Sequence, residues 1–253
     1  MRMLYLDIET FPNVCYTWGL FKQNIYIDQI VESGKTACWA GKWEGDKVVH
    51  FYSGHEHGED VMIQRMWEFL DEADIVVHYN GRKFDIPVLN KEFIKHGLTP
   101  PSSYQQVDLL EAVRKRFRFT SNKLDYVAQF LGLGAKVQHK GMGLWAGCME
   151  GNPRDWKVME RYNIQDVKLL PKVYKKLLPW INNHPNMALY DEENDKTLCP
   201  NCGSDNVKMN GVEPLSTQTY QRYKCNDCGT PLRGRSTILT KEKRKSVLTQ
   251  SKL

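Results

Sequence analysis

Apolar and polar residues alternate over Met3–Thr10, with Leu4, Leu6 and Ile8 on one face and Tyr5, Asp7 and Glu9 on the other. That two-residue period predicts a strand, since side chains along a strand point to opposite sides in turn. Further strands are predicted over Val14–Leu20, Thr36–Trp43 and Lys47–Tyr52, with Glu44-Gly45-Asp46 as a hairpin turn. Glu59–Leu70 changes to helical periodicity, with Val61, Ile63, Met66, Trp67 and Leu70 apolar. Ile75–Tyr79 reads as a short strand ended by Asn80-Gly81, and Ile86–His96 as a helix closed by Gly97. Helical patterns follow over Asp108–Phe117 and Asn122–Leu131, and Gly132–Gly151 reads as a glycine-rich loop. Asn152-Pro153 supplies an N-cap and a first-turn proline for a helix to about Leu170, where Pro171 should kink or interrupt it. Strands that arrive together and then alternate with helices predict an α/β domain with a mixed sheet.

Composition narrows the class. In 253 residues, 41% are hydrophobic and 26% charged, enough to bury a core and unlike a collagenous or wholly disordered chain. No apolar run approaches the roughly 18–20 residues of a membrane span. The start meets acids by position 7 and lacks a signal-peptide pattern. A soluble cytoplasmic protein with no membrane partner is expected. The net charge is +5, and the last twenty residues hold six basic side chains against one acidic. That tail carries the whole excess, which suits contact with a polyanion or simple solvation.

Three sets of side chains carry candidate chemistry. Asp7 and Glu9 share one face of an otherwise apolar strand, roughly 7 Å apart. Buried there they would repel and lose hydration unless a divalent cation made them oxygen ligands; at a strand end they would simply be solvated. Asp85 precedes a helix and fits an N-cap as well as a ligand. Tyr162 and Asp166 are four apart on one helix face.

Taken in order, Leu-Asp-Ile-Glu-Thr (6–10), Tyr-Asn-Gly-Arg-Lys-Phe-Asp-Ile-Pro-Val-Leu (79–89) and Tyr-Asn-Ile-Gln-Asp (162–166) resemble the three motifs of the DEDD exonuclease superfamily. The tyrosine four before the last aspartate is similar to the DEDDy branch, above all to the 3′–5′ proofreading domain of family B DNA polymerases. Ser121–Leu133 also resembles the helix that precedes the third motif there. The resemblance covers about residues 1–180. It implies a ribonuclease-H-like fold with a mixed five-stranded sheet and flanking helices. It also implies two Mg²⁺ or Mn²⁺ ions held by Asp7, Glu9, Asp85 and Asp166. Asp7 would bridge both, Glu9 and Asp166 would complete one site, and Asp85 would serve the other. Tyr162 would orient the attacking water, because a phenol with a pKa near 10 is a poor base at neutral pH. Asn80 and Phe84 would meet the terminal nucleotide. The implied activity is 3′–5′ release of nucleoside monophosphates from DNA by two-metal-ion hydrolysis. Alternatives are a ribonuclease or structure-selective nuclease on the same core, and a non-catalytic nucleic-acid-binding adaptor in replication or repair. No polymerase segment follows the motifs, and the Gly132–Gly151 loop has no counterpart that aligns.

Arg114, Lys115, Arg116 and Arg118 interleave with Phe117 and Phe119. Cations beside aromatics hold single strands, although a helix C-terminus also attracts cations. Asp108 reads as an N-cap. Cys199, Cys202, Cys225 and Cys228 form two Cys-x-x-Cys pairs with 22 residues between them, which resembles a zinc ribbon with one structural Zn²⁺. Nucleic acid, DNA rather than RNA, is the expected partner, with a replication protein as a second candidate for the ribbon. The expected organisation is an exonuclease domain over 1–183, an acidic linker over 184–196, the ribbon over 197–233 and a basic disordered tail over 234–253.

Overall fold

The computed structural model describes residues 1–191 and 196–251. The chain divides into two compact units, Met1–Tyr174 and Lys175–Leu253. Part of the expected acidic linker, residues 192–195, lies outside the described residues.

The first unit opens with β1 (Met3–Thr10), the short pair β2 (Val14–Cys15) and β3 (Ile30–Glu32), then β4 (Thr36–Trp43) and β5 (His50–Ser53). There follow α1 (Gly54–His57), α2 (Glu59–Asp71), β6 (Ile75–His78), α3 (Asp85–Lys95), β7 (Gln105–Asp108) and α4 (Leu109–Arg116). The helices α5 (Leu124–Phe130), α6 (Met142–Met149) and α7 (Pro153–Leu177) come next. Five strands form one sheet in the order β5-β4-β1-β6-β7. β1 runs antiparallel to β4 and parallel to β6, so the sheet is mixed and β1 is central.

The alternation along β1 sorts its two faces. Leu4, Leu6 and Ile8 join Trp39, Met62, Met66, Leu70, Leu89 and Phe93 in one buried cluster. Tyr5, on the opposite face, meets Tyr174 of α7 edge-on. Each fully buried large apolar side chain contributes about 1.5–3 kcal/mol, and this core fixes the register of the acids that alternate with it.

Four local expectations differ from the structure. The predicted strand Val14–Leu20 pairs only at Val14 and Cys15, and Trp18, Leu20 and Phe21 are exposed. The Gly132–Gly151 loop contains α6, whose Leu144 and Cys148 are buried with Trp156 and Met159. Pro171 sits inside a continuous α7. A helix-interior proline costs about 3 kcal/mol, and the buried Val167, Leu169, Leu170, Val173 and Tyr174 around it offset that cost. In the second unit, β8 (Val207–Pro214), β9 (Thr219–Cys225) and β10 (Pro231–Thr237) form a three-stranded sheet, followed by α8 (Lys241–Ser246). The segment expected as a disordered tail from 234 thus continues β10 and forms a helical turn capped by Thr240, whose hydroxyl accepts from the Lys243 N–H at 3.1 Å. Among the described residues no helix is long and apolar enough to cross a membrane.

Candidate active site

Asp7 and Glu9 leave the central strand on the face opposite the main core. Asp166 approaches them from α7, and one carboxylate oxygen from each of the three lies within 4.8 Å of the others. Asp85 arrives differently. β6 pairs with β1 only as far as Tyr5, which leaves the Ile8 N–H to donate to Asp85 Oδ1 at 3.2 Å. Phe84 is the N-cap of α3, and the Asp85 carboxylate, which also accepts from its own N–H, reaches β1 between the two acids.

Four carboxylates in so little space are costly without a counter-charge. Burial, then Asp166, Glu9 and Asp85, push Asp7 well above the usual carboxylate range. Burial raises Glu9 to about 8 against the pull of Lys136. Burial likewise raises Asp85 to about 7, although the Ile8 N–H works against it. Asp166 is raised by burial and drawn back by Lys136, and its Oδ1 is buried without a hydrogen-bond partner. An oxygen-rich cluster with an unused buried acceptor fits a hard divalent cation.

The loop between β6 and α3 is held from behind. Asp108 caps α4 by accepting from Leu110 N at 3.0 Å and also accepts from Asn80 N at 2.9 Å and Arg82 N at 3.3 Å. The fully buried His78 accepts the Gly81 N–H on Nδ1 at 3.0 Å. A Cβ at Gly81 would lie 2.4 Å from His78 Cγ, so only glycine fits this close approach. Asn80 adopts φ 74°, a left-handed conformation uncommon outside glycine. These constraints present Asn80 to an open cleft of about 570 Å³ that it shares with Asp7, Tyr79, Arg114, Lys136 and Tyr162. Lys115 lines an adjoining hollow with Asn80 and Arg114. Arg116 and Arg118 are exposed but line neither space. Phe84 is 43% exposed, so it is not a core residue.

Two side chains here escaped the sequence reading. Asn163, fully buried on α7, donates to the Asp7 main-chain carbonyl at 3.2 Å and to Asp7 Oδ2 at 2.7 Å. Lys136 comes from the glycine-rich loop. Its Nζ donates to Tyr162 Oη at 3.0 Å and to Asp166 Oδ2. The loop is fixed by Lys136 N donating to Asp125 at 2.8 Å and Gln165 donating to the Ala135 carbonyl at 3.0 Å. Burial alone would lower the Lys136 pKa, but Asp166, Tyr162 and Asp7 more than reverse it. Burial pushes Tyr162 up to about 12. Tyr162 Oη accepts from Lys136, so its own proton is available to a water or a phosphate oxygen.

The second unit brings its four cysteines together. Cys199 Sγ lies 3.6 Å from Cys228 Sγ, and Cys202 Sγ lies 3.6 Å from Cys225 Sγ. Tetrahedral zinc with bonds of about 2.3 Å would set sulfurs about 3.8 Å apart. Both pairs fold alike. Gly203 N donates to the Cys199 carbonyl at 2.8 Å and Gly229 N to the Cys225 carbonyl at 3.1 Å, each glycine with positive φ. The N–H groups of Asn201 and Cys202 point at Cys199, and those of Asp227 and Cys228 at Cys225, as a thiolate requires. A third group, Glu59, Glu92 and His96, is equally tight. Lys35 and Lys95 already hold Glu59 at 3.0 and 2.6 Å, and Lys91 lies 3.1 Å from Glu92, so it is an ion-pair network.

Comparison with curated proteins gives no match. Among solved structures, the chain is similar to the family B DNA polymerase of the hyperthermophilic archaeon Pyrobaculum calidifontis, with 19% identity and a TM-score of 0.53. The likeness covers 70% of this chain and 24% of the polymerase, so the chain spans about a quarter of that protein, and what it shows is a shared fold. The model of the RNase_H superfamily matches residues 4–178. That match takes in more than half of the chain, from Asp7 through Asp166, and the chain belongs to the RNase_H superfamily.

Proposed function

We propose that the protein is a DEDDy-type 3′–5′ exonuclease that releases nucleoside monophosphates from DNA. The observation that carries this reading is the convergence of Asp7, Glu9 and Asp166 within 4.8 Å, with Tyr162 one helical turn before Asp166. Asp7, Glu9, Asp85 and Asp166 would hold two Mg²⁺ or Mn²⁺ ions, which suit an all-oxygen donor set. Bound there, such a pair supplies a water of lowered pKa and neutralises charge on the leaving 3′ oxygen.

The chain's own groups do the rest. Asn163 anchors Asp7 through two hydrogen bonds, one to its main-chain carbonyl and one to its carboxylate. Tyr162, with its pKa raised to about 12, stays protonated at neutral pH and orients water through its hydroxyl rather than removing a proton. Asn80 and Arg114 line the cleft where a 3′-terminal nucleotide would sit, and the exposed Phe84 offers a ring for stacking. The four cysteines would hold one structural Zn²⁺, making the second unit a zinc ribbon.

The test is hydrolysis of matched single- and double-stranded DNA and RNA oligomers with Mg²⁺. Stepwise shortening from the 3′ end, fastest on DNA and slowed in Tyr162→Phe, supports the reading. Internal cuts, or shortening from the 5′ end, would refute it.

A further inference from the structure

The sheet of the second unit separates charge from apolar surface. Across its strands Lys208 stands opposite Lys224, and Arg222 opposite Arg233. Opposed residues share a face, as do alternate residues of one strand, so Lys208, Arg222, Lys224 and Arg233 lie together with Tyr220. All four cations are exposed. Met209, Tyr223 and Leu232 stand opposite one another on the other face. The cationic face includes one acid, Glu213, 3.9 Å from Arg233. The Arg233 guanidinium also lies 4.7 Å over the Tyr220 ring.

Directly opposed like charges destabilise a sheet. Here two such pairs are adjacent, about 7 Å apart along β9. A purely structural sheet gains nothing from that arrangement. A row of anions laid across it turns both repulsions into attraction.

We propose that this face binds the phosphate backbone of nucleic acid, in preference to docking a protein. The proposal is independent of the exonuclease reading, because it concerns binding without turnover and residues outside the candidate active site. Its test uses the full chain carrying Asp7→Ala, so that the probe survives, and a fluorescein-labelled single-stranded oligodeoxynucleotide read by anisotropy across a salt series. Lys208→Gln/Lys224→Gln and Arg222→Gln/Arg233→Gln should each weaken binding about tenfold at low salt. Each should also flatten the slope of log K against log salt by about 1.4, two phosphate contacts at about 0.7 each. Relief of the repulsion should leave the thermal midpoint equal or higher. The single variants Lys208→Gln and Arg233→Gln decide the matter if a double variant folds less well; each should lower the slope by about 0.7. Affinity and slope unchanged in the folded variants would overturn the proposal and leave the face to a protein partner or to solvent.

Discussion

The Lys136 ammonium stands 3.0 Å from the Tyr162 hydroxyl while it also bonds Asp166, so one loop cation joins both α7 residues of the candidate site. It offsets charge that the clustered acids otherwise leave uncompensated. Lys136→Met should therefore destabilise the metal-free chain by about 3 kcal/mol, the cost of breaking a largely buried pair. Added Mn²⁺ should raise its thermal midpoint more than that of the parent. Equal midpoints without metal would remove the proposed charge compensation.

Asn163 acts through Asp7. Its amide donates twice to that residue, fixing the carboxylate's direction. Losing such an outer hydrogen bond typically costs 10–100-fold in metal affinity or activity, so Asn163→Ala should weaken Mn²⁺ binding by about that range. Titration calorimetry checks this, and an unchanged dissociation constant would make the contact incidental.

His78 sets an acid limit on the loop that carries Asn80. Burial lowers its pKa below the usual 6.5, although Asp108 pulls the other way. A histidine held neutral in the folded state contributes stability that is present above its unfolded pKa and lost as pH falls below it. The contribution of His78 should thus decline as pH drops below about 6.5, opposite in sign to the raised acids of the candidate site, which favour folding as pH falls. Ring ¹⁵N NMR should find the Nε2–H tautomer at neutral pH, with Nδ1 accepting from Gly81 and Nε2 donating to Gln106. A ring that titrates at or above its ordinary value would contradict this.

The cysteine cluster predicts one tightly held zinc per chain. A unit this small would depend on that metal for folding. Cys225→Ser should release the zinc and make the second unit sensitive to protease, while the sheet of the first unit survives. Full zinc occupancy in that variant would exclude Cys225 as a ligand.

The sequence made the acids legible because β1 alternates strictly, so Asp7 and Glu9 had to share the face away from Leu4, Leu6 and Ile8. Tyr162 and Asp166 were legible from their helical spacing, and the two cysteine pairs from theirs. Lys136 was not, since it sits in a loop whose path is set by contacts to Asp125 and Gln165, far along the chain or across to α7. Asn163 hid inside the third motif, between Tyr162 and Asp166, because a polar residue there carries no periodicity of its own. Val14–Leu20 misled in the other direction, because alternation predicts a strand without saying whether a partner strand lies alongside. Arg116 and Arg118 looked equivalent to Arg114, yet Arg114 lines the cleft and they do not, Arg118 lying past the end of α4.

The most direct measurement of the central claim follows a 5′-labelled DNA oligonucleotide with Mg²⁺ or Mn²⁺, using the parent chain and Asp7→Ala. The account predicts a ladder of products shortened one nucleotide at a time from the 3′ end, dependent on the divalent ion and abolished in the variant. The same ladder persisting in Asp7→Ala, or forming without any divalent ion, would contradict it.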